Sequence, residues 1–101
     1  MPSKDKIPNL MQAISACIQT GKYLDTRHAS DRKNERHISR PELIYVLKNG
    51  YHEKKKDRFE TLYHSWNYSI NGKTLDKRNL RIIVSFDEAS LLIITAIDLD
   101  I

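Results

Sequence analysis

Three side chains suited to acid–base chemistry on an anion recur at every fourth position: His28, Arg32 and Arg36. A helix over residues 25–36 would align them on one face, because residues four apart are neighbours on a helix surface. A guanidinium can bind a phosphate through two parallel hydrogen bonds, and a histidine near neutrality can transfer a proton. Two more basic residues flank this face: Arg27 and Lys33. The spacing therefore predicts a candidate phosphate site.

The same pattern also fits a solvated basic helix face, on which Arg32 or Arg36 binds carboxylates of a neighbouring sheet. Like charges four residues apart destabilise a helix by about 0.2–0.5 kcal/mol per pair, and Asp31 and Glu35 offset part of that cost. A docked anion would offset it as well. Residue types and spacing leave both interpretations open.

Thr95 is a further candidate, because its hydroxyl interrupts an apolar strand face made of Leu91, Ile93 and Ile97. The hydroxyl is either satisfied within the strand or presented to a ligand. Pairing across the preceding four-residue loop predicts that Thr95 lies opposite Ile82, on the most apolar side of a hairpin. If that side packs on the helices, Thr95 belongs to the core and cannot join a site with His28.

Three consecutive lysines, Lys54, Lys55 and Lys56, are typical of a solvated turn, but they could also contact RNA phosphates. Trp66 and Tyr68 could stack a base, although such residues more often belong to a core. The four histidines and the single Cys17 show no metal-ligand spacing, and no glycine-rich phosphate loop is present. We therefore expect no metal and no cofactor.

Composition favours one small soluble domain. The 101 residues are 40% hydrophobic with three Gly and three Pro, which argues against disorder and low complexity. We expect a single domain over 1–101, with an N-terminal helical extension at 1–21 and a core at 22–101. A lone cysteine, no apolar run long enough for a bilayer and no signal-peptide pattern favour the cytoplasm and no membrane partner.

The formal net charge is +4, and the charges are unevenly placed. Most basic residues fall within 22–81, whereas residues 82–101 contain acidic residues and no Lys or Arg. A basic middle segment could attract a polyanion such as RNA, or an acidic protein. A modest net charge alone equally fits a solvated surface.

Two segments show helical patterning. Apolar residues at helical spacing predict a helix from about Pro8 to Thr20, with Pro8 in the first turn and Gly21 in the left-handed position after it. Ser39 and Glu42 form a capping-box pattern that predicts a helix over 40–49, ended by Gly50.

The second half of the chain has the period of strands. Alternation over 62–70 predicts one strand, followed by a turn at Asn71-Gly72. Two apolar segments, 80–86 and 91–99, predict a central hairpin with a loop of about four residues. Helices first and strands later indicate an α+β domain with an antiparallel sheet.

Several of these residues, taken together, match the motifs of a known protein family. Thr26-Arg-His-Ala29 is followed by Arg32, Glu35-Arg36 and Ile38-Ser39, and the helix ends in Leu47-Lys-Asn-Gly50. The later matching segments are Tyr51-His-Glu53, Trp66-Asn-Tyr68, Gly72-Lys-Thr74, Leu80 to Phe86 and Leu91 to Thr95. Over roughly residues 20–99 the chain resembles the domain-of-unknown-function family 4258.

That resemblance implies a relation to small ribonuclease-type toxins of the RelE, barnase and colicin kind. It implies N-terminal helices packed on a twisted antiparallel β-sheet, and RNA cleavage without a metal. It places candidate active positions at His28, Arg32, Arg36 and Thr95. The helix at 8–20 lies outside the family core, where it would cover a sheet face or replace a contact with a cognate antitoxin.

Three functions therefore stand as hypotheses, and the third is an antitoxin-like or accessory role without any nucleic acid. In the first, the chain is an endoribonuclease-like toxin domain in which Arg27, Lys33 and the lysines at 54–56 contact RNA. In the second, the same basic helix face binds RNA or an acidic protein without catalysis.

Overall fold

The computed structural model describes residues 5–26, 38–88 and 90–100, which form an α+β fold. The helices are α1 (Leu10–Gln19) and α2 (Arg40–Asn49). The strands are β1 (Tyr23–Asp25), β2 (Tyr51–His52), β3 (Arg58–Glu60), β4 (Ser65–Lys73), β5 (Asn79–Phe86) and β6 (Leu91–Asp98). A 3₁₀ turn, Lys54–Lys56, connects β2 to β3.

The six described strands form one sheet in the order β1-β6-β5-β4-β2, and β3 pairs with the first residues of β4. The sheet is mostly antiparallel, but β1 runs parallel to β6. The predicted hairpin is confirmed, because β5 and β6 pair across residues 87–90 and both lie inside the sheet. Their apolar composition on both faces fits that inner position.

Helix α1 begins later than predicted and ends as predicted. Asn9 is its N-cap, so Pro8 precedes the helix instead of occupying its first turn. At the other end, Gly21 adopts φ +76°. The Gly21 N–H donates to the Ile18 carbonyl at 3.2 Å, and the Lys22 N–H donates to the Cys17 carbonyl at 2.8 Å. This Schellman pattern satisfies carbonyls that the helix end would otherwise leave unpaired.

Helix α2 occupies the predicted residues, and its capping box is present. The Ser39 N–H donates to Glu42 Oε1 at 2.8 Å, and the Glu42 N–H donates to Ser39 Oγ at 3.3 Å. Ile38 and Leu43 both belong to the buried cluster, as expected of apolar residues on either side of such a cap. Local chemistry alone therefore fixes where this helix starts.

One buried cluster joins both helices to the three long strands. Leu10 and Ile14 come from α1, and Leu43, Val46 and Leu47 come from α2. The strands contribute Tyr68, Ile70, Leu80, Ile82, Val84, Leu91, Ile93 and Ala96. Burying a large aliphatic side chain contributes about 1.5–3 kcal/mol, so this cluster is the main source of stability.

The predicted turn at Asn71-Gly72 is wrong, because β4 continues through both residues to Lys73. Gly72 is needed for a close crossing with the end of α2. A Cβ on Gly72 would lie 3.0 Å from both Gly50 Cα and a Val46 methyl, and a Cβ on Gly50 would lie 2.4 Å from the Asn71 carbonyl oxygen. The strand also starts later than predicted, at Ser65, after a turn over 61–64.

Gly50 ends α2 with φ −84°, outside the left-handed region. The steric contact with β4, and not a left-handed conformation, is therefore the reason for glycine at this position.

Neither described helix has the length and apolar composition that crossing a bilayer requires.

Candidate functional site

The predicted catalytic helix face lies outside the described residues. His28, Arg32 and Arg36, together with the flanking Arg27 and Lys33, all fall within 27–37. The assignment of these five residues to one site stays a prediction. Thr95 and the three lysines at 54–56 are described, and the structure places them on opposite sides of β4 and β5.

Thr95 pairs with Ile83, so the predicted pairing with Ile82 is wrong. The register shifts between Ile83 and Val84, and Ile94 is the extra residue on β6. A one-residue bulge moves every following side chain to the other face of a strand. Leu91 and Ile93 are buried before the bulge, whereas Ala96 and Asp98 are buried after it.

The bulge places Thr95 on the sheet face that points away from the buried cluster, called here the outer face. Thr95 is half-buried beside Ile83, and its hydroxyl has no hydrogen-bond partner within the described part of the chain. Ile83 in turn pairs with Ser69, and the Glu53 N–H donates to the Ser69 carbonyl. Thr95, Ile83, Ser69 and Glu53 thus form one row across the sheet.

Lys54, Lys55 and Lys56, called here the lysine turn, are exposed as predicted, but the turn is held at both ends. Glu53 precedes it and Asp57 follows it. The Ser69 hydroxyl donates to Glu53 Oε1 at 3.1 Å, and the Ser69 N–H donates to Asp57 Oδ1 at 2.9 Å. One residue of β4 therefore fixes both carboxylates that flank the turn.

Glu53 forms a two-point ion pair with Arg81 of β5. Arg81 Nε donates to Glu53 Oε1 at 2.8 Å, and a terminal nitrogen donates to Oε2 at 3.2 Å. Hydrogen bonding to Arg81 holds the pKa of the Glu53 carboxyl below its ordinary value of 4.5, against burial, which raises it. The same pair raises the pKa of Arg81. Each charge therefore has a matched partner.

Asp57 lies at the centre of a second group, called here the Asp57 cluster: Lys6, His52 and Asp57. The Asp57 side chain is fully buried. Its Oδ2 lies 2.6 Å from His52 Nε2 and 2.9 Å from Lys6 Nζ. The imidazole is 12% exposed and the lysine 33% exposed. A carboxylate that orients a histidine is the arrangement used for general acid–base chemistry.

The N-terminal segment is held against this cluster by two aromatic residues. Lys6 Nζ lies 4.6 Å from the centroid of the Trp66 ring, a cation–π geometry. The Ile7 N–H donates to the Tyr68 hydroxyl at 2.9 Å. Tyr68 is only 2% exposed, so it is a core residue and does not offer its ring to a base. Burial raises the pKa of its hydroxyl.

Sequence patterns gave only a partial signal for the Asp57 cluster. His52 and Glu53 belong to a segment that matched the family, but Asp57 lies in a charged stretch that is typical of a solvated turn. Lys6 reaches the cluster from a segment far away along the chain. Only the three-dimensional contact of the N-terminus with the sheet edge brings the three residues together.

No group of three or more His, Cys, Asp or Glu residues suited to a metal occurs within residues 5–26, 38–88 and 90–100.

Comparison with known proteins gives one match. A family described as "Domain of unknown function (DUF4258)" matches residues 26–98, which include the four predicted catalytic residues, the lysine turn and both its flanking carboxylates. No curated protein and no solved structure matches the chain. Lys6 and α1 precede the matched region. Because the match covers well over half of the sequence, the chain belongs to the DUF4258 family.

Proposed function

We propose that the chain is a metal-independent endoribonuclease-like domain of the toxin type, which acts on phosphodiester bonds of RNA. The observation that carries the proposal is the bulge in β6. It turns Thr95 to the outer face, where a hydroxyl can contact a ligand; without the bulge, Thr95 would point toward the core.

The position of the lysine turn supports the same proposal. The row from Thr95 to Glu53 crosses three strand spacings, which is about 14 Å. The lysine turn follows Glu53 directly and is fixed by Ser69. A short stretch of RNA backbone can therefore extend from the lysines toward Thr95 across one face, held by phosphate contacts that carry no sequence preference.

In this proposal the ribose 2′-hydroxyl attacks the adjacent phosphorus. The 2′-O–P bond forms while the P–O5′ bond breaks, which leaves a cyclic phosphate and a free 5′-hydroxyl. His28 takes the proton from the 2′-hydroxyl, and the leaving 5′-oxygen takes a proton from water. Arg32 and Arg36 stabilise the charge on the phosphoryl oxygens, and Thr95 donates a hydrogen bond that orients the phosphate.

The test is RNA cleavage by the purified chain in the presence of EDTA. A positioned acid–base group contributes about 10²–10⁴-fold, so we expect His28→Asn to lower the cleavage rate by that order. His64→Asn is the matched control, because His64 is exposed in the turn before β4 and its φ of 50° suits asparagine. Undiminished cleavage by His28→Asn would remove His28 from the mechanism.

Thr95→Val tests the outer-face contact separately. Valine keeps the shape and β-propensity but lacks the donor, so we expect a loss of about 10–100-fold in rate, with Thr95→Ser partly active. Equal rates for Thr95→Val and the unmodified chain would show that the hydroxyl has no part in the reaction.

The alternative is a non-catalytic RNA-binding module, which the rigidly held lysine turn favours because that turn needs no catalytic group to bind phosphates. Binding of RNA that weakens steeply with salt, without cleavage products, would support this alternative.

A further inference from the structure

A cavity of about 600 Å³ lies between the N-terminal segment and the edge of the sheet. Residues 6–12 form one side, and His52 and Lys54 form the other. Pockets that bind small molecules usually measure about 300–1,000 Å³, so this space suits a ligand of nucleotide size. It shares Lys54 with the lysine turn, but it involves neither Thr95 nor any other residue of the outer-face row.

The charged groups of this cavity favour an anion. Its titratable side chains, among the described residues, are Lys6, His52 and Lys54, and none of those lining it is a carboxylate. Asp57 lies behind His52 and Lys6, and its two oxygens are already engaged by His52, Lys6 and the Ser69 N–H. Lys54 forms no ion pair with any described residue, so its charge is available to a ligand.

Two of the three basic groups, His52 and Lys6, are also held in place before a ligand arrives. Asp57 orients the His52 ring through Nε2, and that ring forms a T-shaped contact with Tyr68 at a centroid distance of 5.7 Å. Lys6 is fixed between Asp57 and the Trp66 ring. Groups that are already oriented lose less conformational entropy on binding, which strengthens the affinity that each contact provides.

The remaining wall is formed by the residues that follow Lys6 in the N-terminal segment, and it is mostly apolar apart from Asn9 and Gln12. Ile7, Pro8, Leu10 and Met11 line it, and Met11 is half-buried. A flexible methionine and small aliphatic groups offer a surface for a flat heterocycle. The lining of the cavity therefore combines basic groups that fit a phosphate with apolar groups that fit a ring.

We infer that this cavity binds a nucleotide-like phosphomonoester, with the phosphate on Lys54 and His52 and the base against Ile7 and Met11. Two sources share this chemistry: a free mononucleotide and the phosphorylated end of an RNA chain. The inference goes beyond the proposed function, because it requires only binding and no bond cleavage.

Calorimetric titration of the full chain tests the inference. The probes are a nucleoside 5′-monophosphate, the matching nucleoside and inorganic phosphate. We expect saturable binding of the monophosphate and at least about tenfold weaker binding of the nucleoside, as the loss of one charge-assisted contact predicts. Equal affinities for nucleoside and monophosphate, or no saturable binding of either, would overturn the inference.

Two lysines of one turn provide the matched variants. Lys54 lines the cavity, whereas its exposed neighbour Lys55 does not, although both carry the same charge. Lys54→Ala should weaken monophosphate binding about tenfold or more, and Lys55→Ala should change it less than about twofold. Equal losses in the two variants would show a diffuse charge effect and would overturn a specific site.

A second pair of probes separates the two sources. A short RNA with a 5′-phosphate and the same RNA without it are compared in binding, with the monophosphate as competitor. Phosphate-dependent binding that the nucleotide displaces identifies the RNA end as a ligand of the cavity, whereas binding of the free nucleotide alone identifies the nucleotide. These measurements detect no cleavage, so they can succeed or fail independently of the ribonuclease assay.

Discussion

Glu53 and Asp57 flank the same three lysines and contact the same serine, yet their surroundings differ. Glu53 points along the outer face to Arg81, and the two side chains form a matched pair with two hydrogen bonds. Asp57 points to the opposite side of the edge, where it contacts two groups that can each carry a positive charge. Glu53 therefore forms a contact within the sheet, whereas Asp57 holds two residues that line the cavity.

The difference shows where chemistry is available in this fold. A charge that is matched by two hydrogen bonds from its neighbour has little left to offer a ligand. The Asp57 cluster has one carboxylate between two bases, and both of these, His52 and Lys6, line the cavity. The lysine turn lies between the Glu53–Arg81 pair on the outer face and the Asp57 cluster beside the cavity.

Replacing Asp57 should have the largest effect on stability. Asp57→Ala removes the acceptor of three contacts and leaves the buried Ser69 N–H without a partner, for an expected loss of about 3–5 kcal/mol. Urea unfolding followed by tryptophan fluorescence measures it through Trp66. Asp57→Asn retains an acceptor for Ser69 and should lose less. A loss below about 1 kcal/mol for Asp57→Ala would show that the cluster is not structural.

Replacing Arg81 should have a smaller effect. Arg81→Met keeps the length of the side chain but removes both hydrogen bonds to Glu53, for an expected loss of about 1–2 kcal/mol. Both side chains are partly exposed, so water takes up part of the lost interaction. Arg81→Lys serves as the control that retains the charge but not the two-point geometry. The comparison fails if Arg81→Met destabilises the fold as much as Asp57→Ala.

The smallest expected effect is on how the free energy of unfolding depends on pH. Because hydrogen bonding to Arg81 lowers the pKa of Glu53 in the folded chain, the unfolded chain binds the proton more readily. The stabilisation is therefore present above pH 4.5 and is lost as the pH falls through the lower pKa of the folded state. Urea midpoints measured from pH 7 to pH 3 should fall less steeply for Glu53→Gln. Parallel curves for the two proteins would contradict this assignment.

Local patterns were enough to predict several elements. The capping box of Ser39 and Glu42 placed the start of α2, and Gly21 marked the end of α1 through its left-handed conformation. The hairpin of β5 and β6 followed from two apolar runs around a short polar loop. In each case the deciding interactions join residues only a few positions apart, so the sequence contains them.

The errors occurred where distant backbone segments meet. The Asn71-Gly72 pair matches a turn pattern, but the end of α2 crosses β4 there and requires the glycine for space. Thr95 was assigned to the wrong partner because nothing in the residue types of β6 marks Ile94 as the bulged residue. The Asp57 cluster was missed for the same reason, since Lys6 approaches from outside the family region.

The crossing of Gly50 and Gly72 has a consequence for how this fold can change. Gly50 immediately precedes β2, so the contact of the two backbones sets the position at which that strand joins the sheet. His52 follows two residues later, and its place beside Asp57 depends on that starting point. Even an alanine at either glycine would push the helix end and the strand apart. The small size of this pair of glycines therefore fixes where the His52 imidazole sits relative to Asp57.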